Sequence, residues 1–215
     1  MPDRFPITSV EIGFNRRVQL AAEIVDGVTL APVRNGIKVF AEGLRGKPVV
    51  NRSGFFVWLE EPGRQAQAIV VDAARTTYSG ARVEPLLPPD HRRIELAPTP
   101  AYVFPAGATG YRGTLIESRY GPRKPVAGTQ VRLQWSDGVA WIDAPLRSET
   151  NSKGDFATAL RLTPKAEPRA DSAGTLAVRL RFLREGTVRT SDEFALAQGR
   201  VGAAAGPFIW DELNP

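Results

Sequence analysis

The sequence contains no cysteine, a single histidine and a single methionine. Without cysteine the chain can form neither a disulfide framework nor a zinc site built on thiolates. A Ser-His-Asp triad would have to use His91, and the sequence holds no Gly-x-Ser-x-Gly motif to accompany it. A calcium loop is not indicated, because Asp137, Asp143 and Asp155 are too widely spaced for one. We therefore predict a protein that is not an enzyme, with no catalytic residue, cofactor, metal ion or small-molecule substrate.

Long apolar runs are also missing. Nowhere do about 18 apolar residues follow one another, the length that a membrane-spanning helix needs. Residues 1–6 show no apolar run after a basic start, which a secretory signal would have. These absences predict no membrane insertion and no export, and we expect the protein to act in the cytoplasm.

Charge of one sign is not concentrated in any part of the chain. The net charge is +5, and the basic pairs and runs occur at Arg92–Arg93, at 119–124 and at Arg179 with Arg181. Each of these is typical of a solvated loop or strand face. Nucleic-acid binding requires basic side chains gathered into one patch. The sequence therefore predicts no nucleic-acid partner.

The chain is rich in turn-forming residues, with 20 glycines and 18 prolines among 215 residues. Apolar and polar residues alternate over 18–24, 37–41, 131–135 and 176–182. This is the period of a β-strand with one buried face. Short alternating segments separated by turn residues predict an all-β fold, and the chain is long enough for two domains of about 100 residues.

One short pattern occurs twice. In the first copy Pro32-Val33 precedes the predicted strand at 37–41, and residues 51–54, Asn-Arg-Ser-Gly, lead into an apolar strand that starts at Phe55. Glycine suits such a turn because it adopts positive φ without strain, and the aromatic residue beyond it can fill a sandwich core.

The second copy has the same features in the same order. Pro125-Val126 precedes the strand at 131–135, and residues 151–154, Asn-Ser-Lys-Gly, lead into Asp155-Phe156. This copy is longer, and we place its extra residues at 136–146. Two copies with matching neighbours predict a duplicated β module.

The boundaries follow from this repeat and from a proline-rich stretch between the copies. Tyr102, Val103 and Phe104 in that stretch are more apolar than a free spacer needs, so we expect them to dock between the modules. The predicted parts are an N-terminal arm or edge strand (1–16), a first β-sandwich (17–97, the first module), a linker (98–110), a second β-sandwich (111–197, the second module) and a C-terminal docking tail (198–215).

The repeated Pro-Val pair, strand and Asn-x-x-Gly turn resemble the carboxypeptidase regulatory-like domains, also described as transthyretin-like or prealbumin-like. The resemblance covers about 17–97 and 110–197. It implies two tandem immunoglobulin-like or transthyretin-like β-sandwiches with extended terminal arms. Domains of this kind are appended to enzymes, to surface proteins and to phage-tail or contractile-injection components, and they are usually not catalytic, so the resemblance implies no active-site residue.

The preferred interpretation of function is a structural or adaptor subunit of a large bacterial assembly of the phage-tail-like or contractile-injection type. Its terminal arms would dock on neighbouring protein subunits, since added strands supply backbone pairing. In the tail, the small residues of 198–206 precede a compact apolar peptide. The candidate docking residues are Phe208, Ile209, Trp210 and Leu213. Folding of these residues back onto their own domain is an equal alternative.

The alternative function is a module that binds a carbohydrate or another surface ligand. Large aromatic residues in strands more often fill the core than form a sugar platform. Trp141 is the exception, because it lies in the insertion of the second copy beside Asp137 and Asp143. These three residues form the candidate ligand loop.

Overall fold

The structure is a computed structural model that describes residues 17–84, 90–161 and 170–215. Within these residues every regular element is a β-strand except one 3-10 turn, Trp210–Glu212. None of the described elements is a helix long and apolar enough to cross a membrane. The predicted all-β class is confirmed, whereas the predicted arm at 1–16 lies outside the described residues.

Two sheets that share one core form the first module. Its described strands are β1 (Val18–Asp26), β2 (Lys38–Glu42), β3 (Val49–Val50), β4 (Phe56–Leu59), β5 (Ala68–Asp72), β6 (Ala81–Val83) and β7 (Asp90–Leu96). One sheet has the order β3-β4-β1-β7 and the other the order β2-β5-β6. Leu20 and Ile24 of β1 pack with Trp58 of β4 and with Ile69 of β5, so the alternation in the sequence buries one face of each sheet.

The second module has a separate core and more strands. They are β8 (Thr109–Ile116), β9 (Gln130–Ser136), β10 (Trp141–Asp143), β11 (Ser148–Glu149), β12 (Asp155–Leu160), β13 (Thr175–Arg184), β14 (Thr187–Thr190), β15 (Phe194–Ala197), β16 (Val201–Ala203) and β17 (Phe208–Ile209). One sheet runs β10-β9-β13-β14, with β11 also on β9 and β15 also on β13. The other runs β12-β8-β16, with β17 also on β8. Leu133, Phe156 and Phe182 are central to the core.

The turn that enters β4 has a defined set of hydrogen bonds. The backbone N–H of Asn51 donates to the carbonyl of Phe55 at 3.0 Å, and the Asn51 Oδ1 accepts from the Phe55 N–H at 2.9 Å. The Gly54 N–H donates to the Asn51 carbonyl at 2.9 Å, and Gly54 has a φ of 90°. The asparagine side chain therefore closes a turn that only glycine enters without strain.

The turn that enters β12 repeats this pattern. The Asn151 N–H donates to the Asp155 carbonyl at 2.9 Å, and the Asn151 Oδ1 accepts from the N–H groups of Asp155 at 2.9 Å and Lys153 at 2.8 Å. Gly154 donates to the Asn151 carbonyl and has a φ of 78°. The short motif found twice in the sequence is thus the same physical turn in both modules.

The Pro-Val pairs are equivalent in the same way. The Val33 N–H donates to the carbonyl of Ile24 on β1 at 2.8 Å, and the Val126 N–H donates to the carbonyl of Leu115 on β8 at 3.0 Å. The proline of each pair forms a β-bridge with the strand residue that follows this carbonyl: Pro32 bridges to Val25 of β1, and Pro125 to Ile116 of β8. The pair therefore attaches the connector to the opening strand of each module.

Each module ends with a strand that pairs parallel to its opening strand. In the first module β7 lies parallel to β1, and in the second β16 and β17 lie parallel to β8. Parallel pairing requires a long crossover, which explains why these partners are far apart in sequence. The boundary drawn at residue 197 from the sequence falls between β15 and β16, which belong to the two sheets of the second module.

The extra residues of the second copy form β10, which pairs antiparallel with β9, and β11 pairs with β9 farther along the same edge. The repeat makes β2 the counterpart of β9. Among the described residues, β2 pairs only with β5. The same edge is therefore covered in the second module and open in the described part of the first.

Candidate functional site

The junction between the two modules is centred on the carboxylate of Asp26, at the end of β1. Asp26 is buried, and its Oδ2 accepts hydrogen bonds from the hydroxyls of Tyr78 at 3.0 Å and Tyr102 at 2.6 Å. Its Oδ1 accepts from the backbone N–H groups of Val28 at 2.6 Å and Thr29 at 3.2 Å. A carboxylate leaves water at acceptable cost only when donors replace the lost solvent. The four donors stabilise Asp26, and the bond from Tyr102 attaches the linker to the first module.

The two tyrosines of this network have raised pKa values. Burial, together with the charge of Asp26 and the hydrogen bond to it, raises the pKa of Tyr78 to about 12. Burial and the hydrogen bond to Asp26 also raise the pKa of Tyr102. Both hydroxyls therefore remain protonated donors at neutral pH.

Arg112 of β8 binds the linker from the second module. Its guanidinium donates to the carbonyls of Pro100 and Tyr102 and stacks over Phe104, with 5.1 Å between Cζ and the ring centre. Phe104 also packs edge-on against Tyr102 at 5.0 Å. Of the three linker residues expected to dock, Tyr102 and Phe104 do so, whereas Val103 is 81% exposed.

A second arginine connects the modules directly. Arg161, which follows β12, donates to the carbonyl of Gly27 at 2.9 Å and forms an ion pair with Glu95 of β7 at 2.9 Å. A Cβ added to Gly27 would lie 2.4 Å from the Leu146 side chain and 2.8 Å from the Leu96 carbonyl. The backbone of the first module itself therefore favours glycine at this position, and the side chain of Leu146 from the second module packs directly against it.

A polar row covers the outer face of β9, β10 and β13 in the second module. The Asp143 carboxylate binds Arg132 and Arg181, each at 3.1 Å, and accepts a hydrogen bond from Gln134 at 2.7 Å. Two arginines thus share one carboxylate. Gln134 in turn accepts from Arg179 at 2.6 Å, so the row is one connected network.

The structure places the three predicted ligand-loop residues in different environments. Trp141 is half-buried under the guanidinium of Arg179, 4.5 Å from the ring centre, and Asp143 belongs to the polar row. Asp137 instead accepts from the backbone N–H groups of Val139 and Ala140 in the turn before β10. Trp141 and Asp143 share one face of β10, while Asp137 stabilises the turn.

The predicted docking residues of the tail contact their own module. Phe208 and Ile209 pair with β8, and Trp210 is buried in the second core. Leu213 packs against the same core from its surface. Of the two alternatives for this segment, folding back is therefore the one the structure shows, and a contact of these residues with another subunit remains a prediction.

Two arginines hold the ring of Trp210 in place. The guanidinium carbons of Arg184 and Arg189 lie 5.6 and 5.1 Å from its ring centre, and Arg189 also donates to the Trp210 carbonyl at 2.6 Å. Farther along, the Asn214 N–H donates to the Thr190 carbonyl at 2.9 Å. The segment is thus anchored by backbone pairing, burial and cation-π contacts together.

His91 and Glu61 are two further titratable groups whose surroundings the structure describes. His91 is exposed on β7, with its ring 5.1 Å from that of Phe55. Glu61 accepts from the backbone N–H groups of Arg45 and Gly46, which lowers its pKa. In the part of the chain that the structure describes, no three His, Cys, Asp or Glu side chains lie together as metal ligands would.

A cleft of about 910 Å³ opens beside the junction. Arg161 and Arg200 are the ionisable side chains of its described lining, and Arg161 is paired with Glu95. The Thr109 hydroxyl accepts from the Gly199 N–H at 2.8 Å. The described lining therefore offers positive charge but no acid-base pair.

Sequence reasoning missed the Asp26 network. The sequence alone assigns no role to Asp26, although an acidic residue closing an apolar strand is a signal that donors must lie nearby. The two tyrosines are 52 and 76 residues away from Asp26 in the chain. No local pattern links positions so far apart.

No protein-family model and no curated protein matches this chain. Among solved structures it is similar to a streptococcal ancillary pilin, at 11% identity and a TM-score of 0.30, over 86% of this chain and 60% of that one. It is also similar to the minor pilin GBS52 of Streptococcus agalactiae (11%, TM-score 0.28, 86% and 93%) and to the shaft pilin spaA of Lactobacillus rhamnosus GG (9%, TM-score 0.27, 87% and 96%). At these identities and TM-scores the likeness carries no argument about function.

Proposed function

We propose that this chain is a non-enzymatic structural or adaptor subunit of a large bacterial assembly, with other protein subunits as its partners. The observation that supports this proposal is the junction, where Asp26, Arg112 and Arg161 bind the two modules and the linker to one another. A subunit that positions its neighbours needs its own modules in a fixed orientation. Modules that only capture ligands work equally well on a flexible linker.

More specifically, we propose that the assembly is a phage-tail-like or contractile-injection particle that forms in the cytoplasm. It rests on the family resemblance and on a cysteine-free sequence. Because β16 and β17 pair within the second module, we assign contacts with neighbours to the residues preceding β1 and to the open edge of β2. We thus assign assembly mainly to the first module.

The test is sedimentation of the protein in a native lysate of the producing organism. We expect the wild-type chain to travel with particles far heavier than its own 23.4 kDa. The variant Arg161→Ala removes the bonds to Gly27 and Glu95, so the heavy fraction should fall several-fold. The matched control Arg93→Ala removes an ion pair to Glu23 within the first module and should leave the heavy fraction unchanged.

Two results would contradict the proposal. Migration of the wild-type chain as a free monomer or small oligomer would show that it joins no large assembly. Equal heavy fractions for wild type and for a folded Arg161→Ala variant would show that a fixed junction is not required.

A carbohydrate-binding module is the second candidate, and the polar row favours it. Trp141 is half-buried and faces outward beside Arg179, in a row where arginines outnumber carboxylates. An aromatic face next to cationic donors suits an acidic sugar. In a glycan-binding screen, Trp141→Ala should abolish binding, while Val139→Ala, at a 94% exposed site in the same loop, should not. An absence of glycan binding by the wild-type chain would exclude this candidate.

A further inference from the structure

The open edge of the first module has a symmetric pattern of charge. The outward side chains of β2 are Lys38, Phe40 and Glu42, in that order, and Phe40 is 47% exposed. Val39 and Ala41 point inward and are buried. A cation and an anion therefore stand at equal distances on either side of a central aromatic residue.

We propose that two copies of this chain pair through β2, antiparallel and about a two-fold axis beside Phe40. In that register Phe40 of each copy faces Phe40 of the other, and Lys38 of each copy faces Glu42 of the other. Opposite charges directly across an antiparallel pair attract, and exposed aromatic residues gain by being covered. The interface is isologous, because one patch meets itself.

Other registers are disfavoured by the same side chains. A shift of one residue would set outward side chains against inward ones. A shift of two residues would place Lys38 opposite Phe40 and leave Glu42 without its partner. The pattern of β2 therefore selects one register as well as one orientation.

The second module shows that this fold accepts a strand at this edge. Its β9 is the counterpart of β2, and β10 and β11 both pair with it antiparallel on the side away from β13. In the first module the residues after β2 lead instead to β3, which pairs with β4. A strand from a second copy would take on β2 the place that the insertion takes on β9.

The charged groups of β2 are available for this contact. The side chain of Lys38 is exposed and forms no hydrogen bond or ion pair with any described residue, while its backbone belongs to the β2-β5 ladder. Glu42 binds Arg82 at 2.9 Å through Oε2, which leaves Oε1 for a second cation. Charged residues on an edge strand also serve to prevent pairing in many proteins. Here their opposite signs and equal spacing make the edge attractive to its own copy.

This inference goes beyond the proposed function and does not depend on it, because a dimer would form in the purified protein with or without a larger particle. The experiment is sedimentation equilibrium of the full chain over a concentration series at low ionic strength. We expect the wild-type mass to rise from 23.4 kDa towards twice that value. A wild-type chain that stays monomeric at every concentration would overturn the proposal, including the case in which residues 1–16 or another protein occupy the edge.

Charge exchange tests the register. Lys38→Glu alone and Glu42→Lys alone each place like charges opposite each other, so each should weaken dimerisation at least tenfold. The double variant restores opposite charges and should restore the dimer, as should a mixture of the two single variants. Lys153→Glu makes the same charge change at an exposed site of the second module and should have no effect. A dimer that is insensitive to Lys38→Glu would overturn the proposal.

Cross-linking tests the position of the two-fold axis. Because the chain has no native cysteine, only an introduced cysteine can form a disulfide. Directly opposite residues of an antiparallel pair have Cα atoms about 4.5–5.5 Å apart, which a disulfide can span. Mild oxidation of Phe40→Cys should therefore yield a covalent dimer. Val70→Cys lies one strand farther from the axis, on β5, and should not cross-link. Equal cross-linking of both variants would overturn the assigned axis.

Discussion

The two modules share their opening half and differ in how they close. Both begin with a strand to which a Pro-Val pair is attached, and both enter a later strand through the same Asn-x-x-Gly turn. The first module is completed by β7. The second is completed by two short strands and a buried tryptophan from the end of the chain. The two modules therefore share their opening strand and the turn into a later strand, and they differ in the strands that complete their sheets.

Their edges differ in the same way. An insertion covers β9 of the second module, whereas its counterpart β2 is open in the described part of the first. Open edges attract strands from other chains. The inserted strands therefore occupy on β9 the edge that β2 leaves open in the described part of the first module.

The largest effect is expected at the closing segment of the second module. Trp210→Ala should lower the free energy of unfolding by about 3–5 kcal/mol, because it empties a core position and removes the ring held by Arg184 and Arg189. Ile94→Ala on β7 is the matching change in the first module, expected to cost about 2–5 kcal/mol. Denaturant unfolding followed by circular dichroism measures both.

The exposed linker residue Val103 provides the control, since Val103→Ala should be nearly neutral. An unchanged stability of Trp210→Ala would mean that the terminal segment is not part of the second core and is available for docking on another subunit.

A smaller effect should separate the two equivalent turns. Both Gly54 and Gly154 have positive φ, so alanine at either costs about 1–2 kcal/mol. A Cβ on Gly154 would in addition lie 2.2 Å from the backbone carbonyl oxygen of Leu115, whereas the atoms nearest to one on Gly54 belong to the side chain of Arg34, which can move. With the cost of overpacking, Gly154→Ala should lose about 2–5 kcal/mol.

Thermal unfolding of the two glycine variants checks this difference. Equal losses would show that the turns have the same surroundings as well as the same hydrogen bonds, and that the close approach to β8 is not specific to the second module.

The smallest effect concerns pH. The pKa of Tyr78 is raised to about 12 in the folded protein, against about 10 in an unfolded chain. The folded state therefore holds its proton more tightly, and this part of the stability is complete below pH 10 and is lost as the pH rises from 10 to 12. Tyr78→Phe should flatten the decline of unfolding free energy over this range. A Tyr111→Phe variant serves as a comparison, because burial alone raises that pKa. Identical alkaline profiles for wild type and Tyr78→Phe would contradict the Asp26 network.

Much of the fold could be predicted because it depends on local patterns. Alternation gave the strands, and the Asn-Gly and Pro-Val pairs marked equivalent turns in both copies, as the hydrogen bonds of Asn51 and Asn151 confirm. The extra residues of the second copy were also placed correctly, at β10.

The sites were harder to predict because they depend on distant pairings. For Phe208 and Trp210 the sequence leaves docking and folding back as equal alternatives, and only the pairing of β17 with β8 and the burial of Trp210 show that they pack in the second core. The junction is harder still, since Asp26 meets a tyrosine of the linker and Arg161 meets a glycine 134 residues away. Sequence spacing carries no information about such contacts.

The parallel closing strands also affect the order in which the two modules can fold during synthesis. The first module can complete its sheet once residue 96 has left the ribosome, because β7 then reaches β1. The second module cannot complete its sheet until 201–209 have emerged. Until then β8 has no parallel partner, although the rest of the module has been synthesised. The finished first module would meanwhile offer Glu95 and the carbonyl of Gly27 as the groups to which Arg161 of the later half binds.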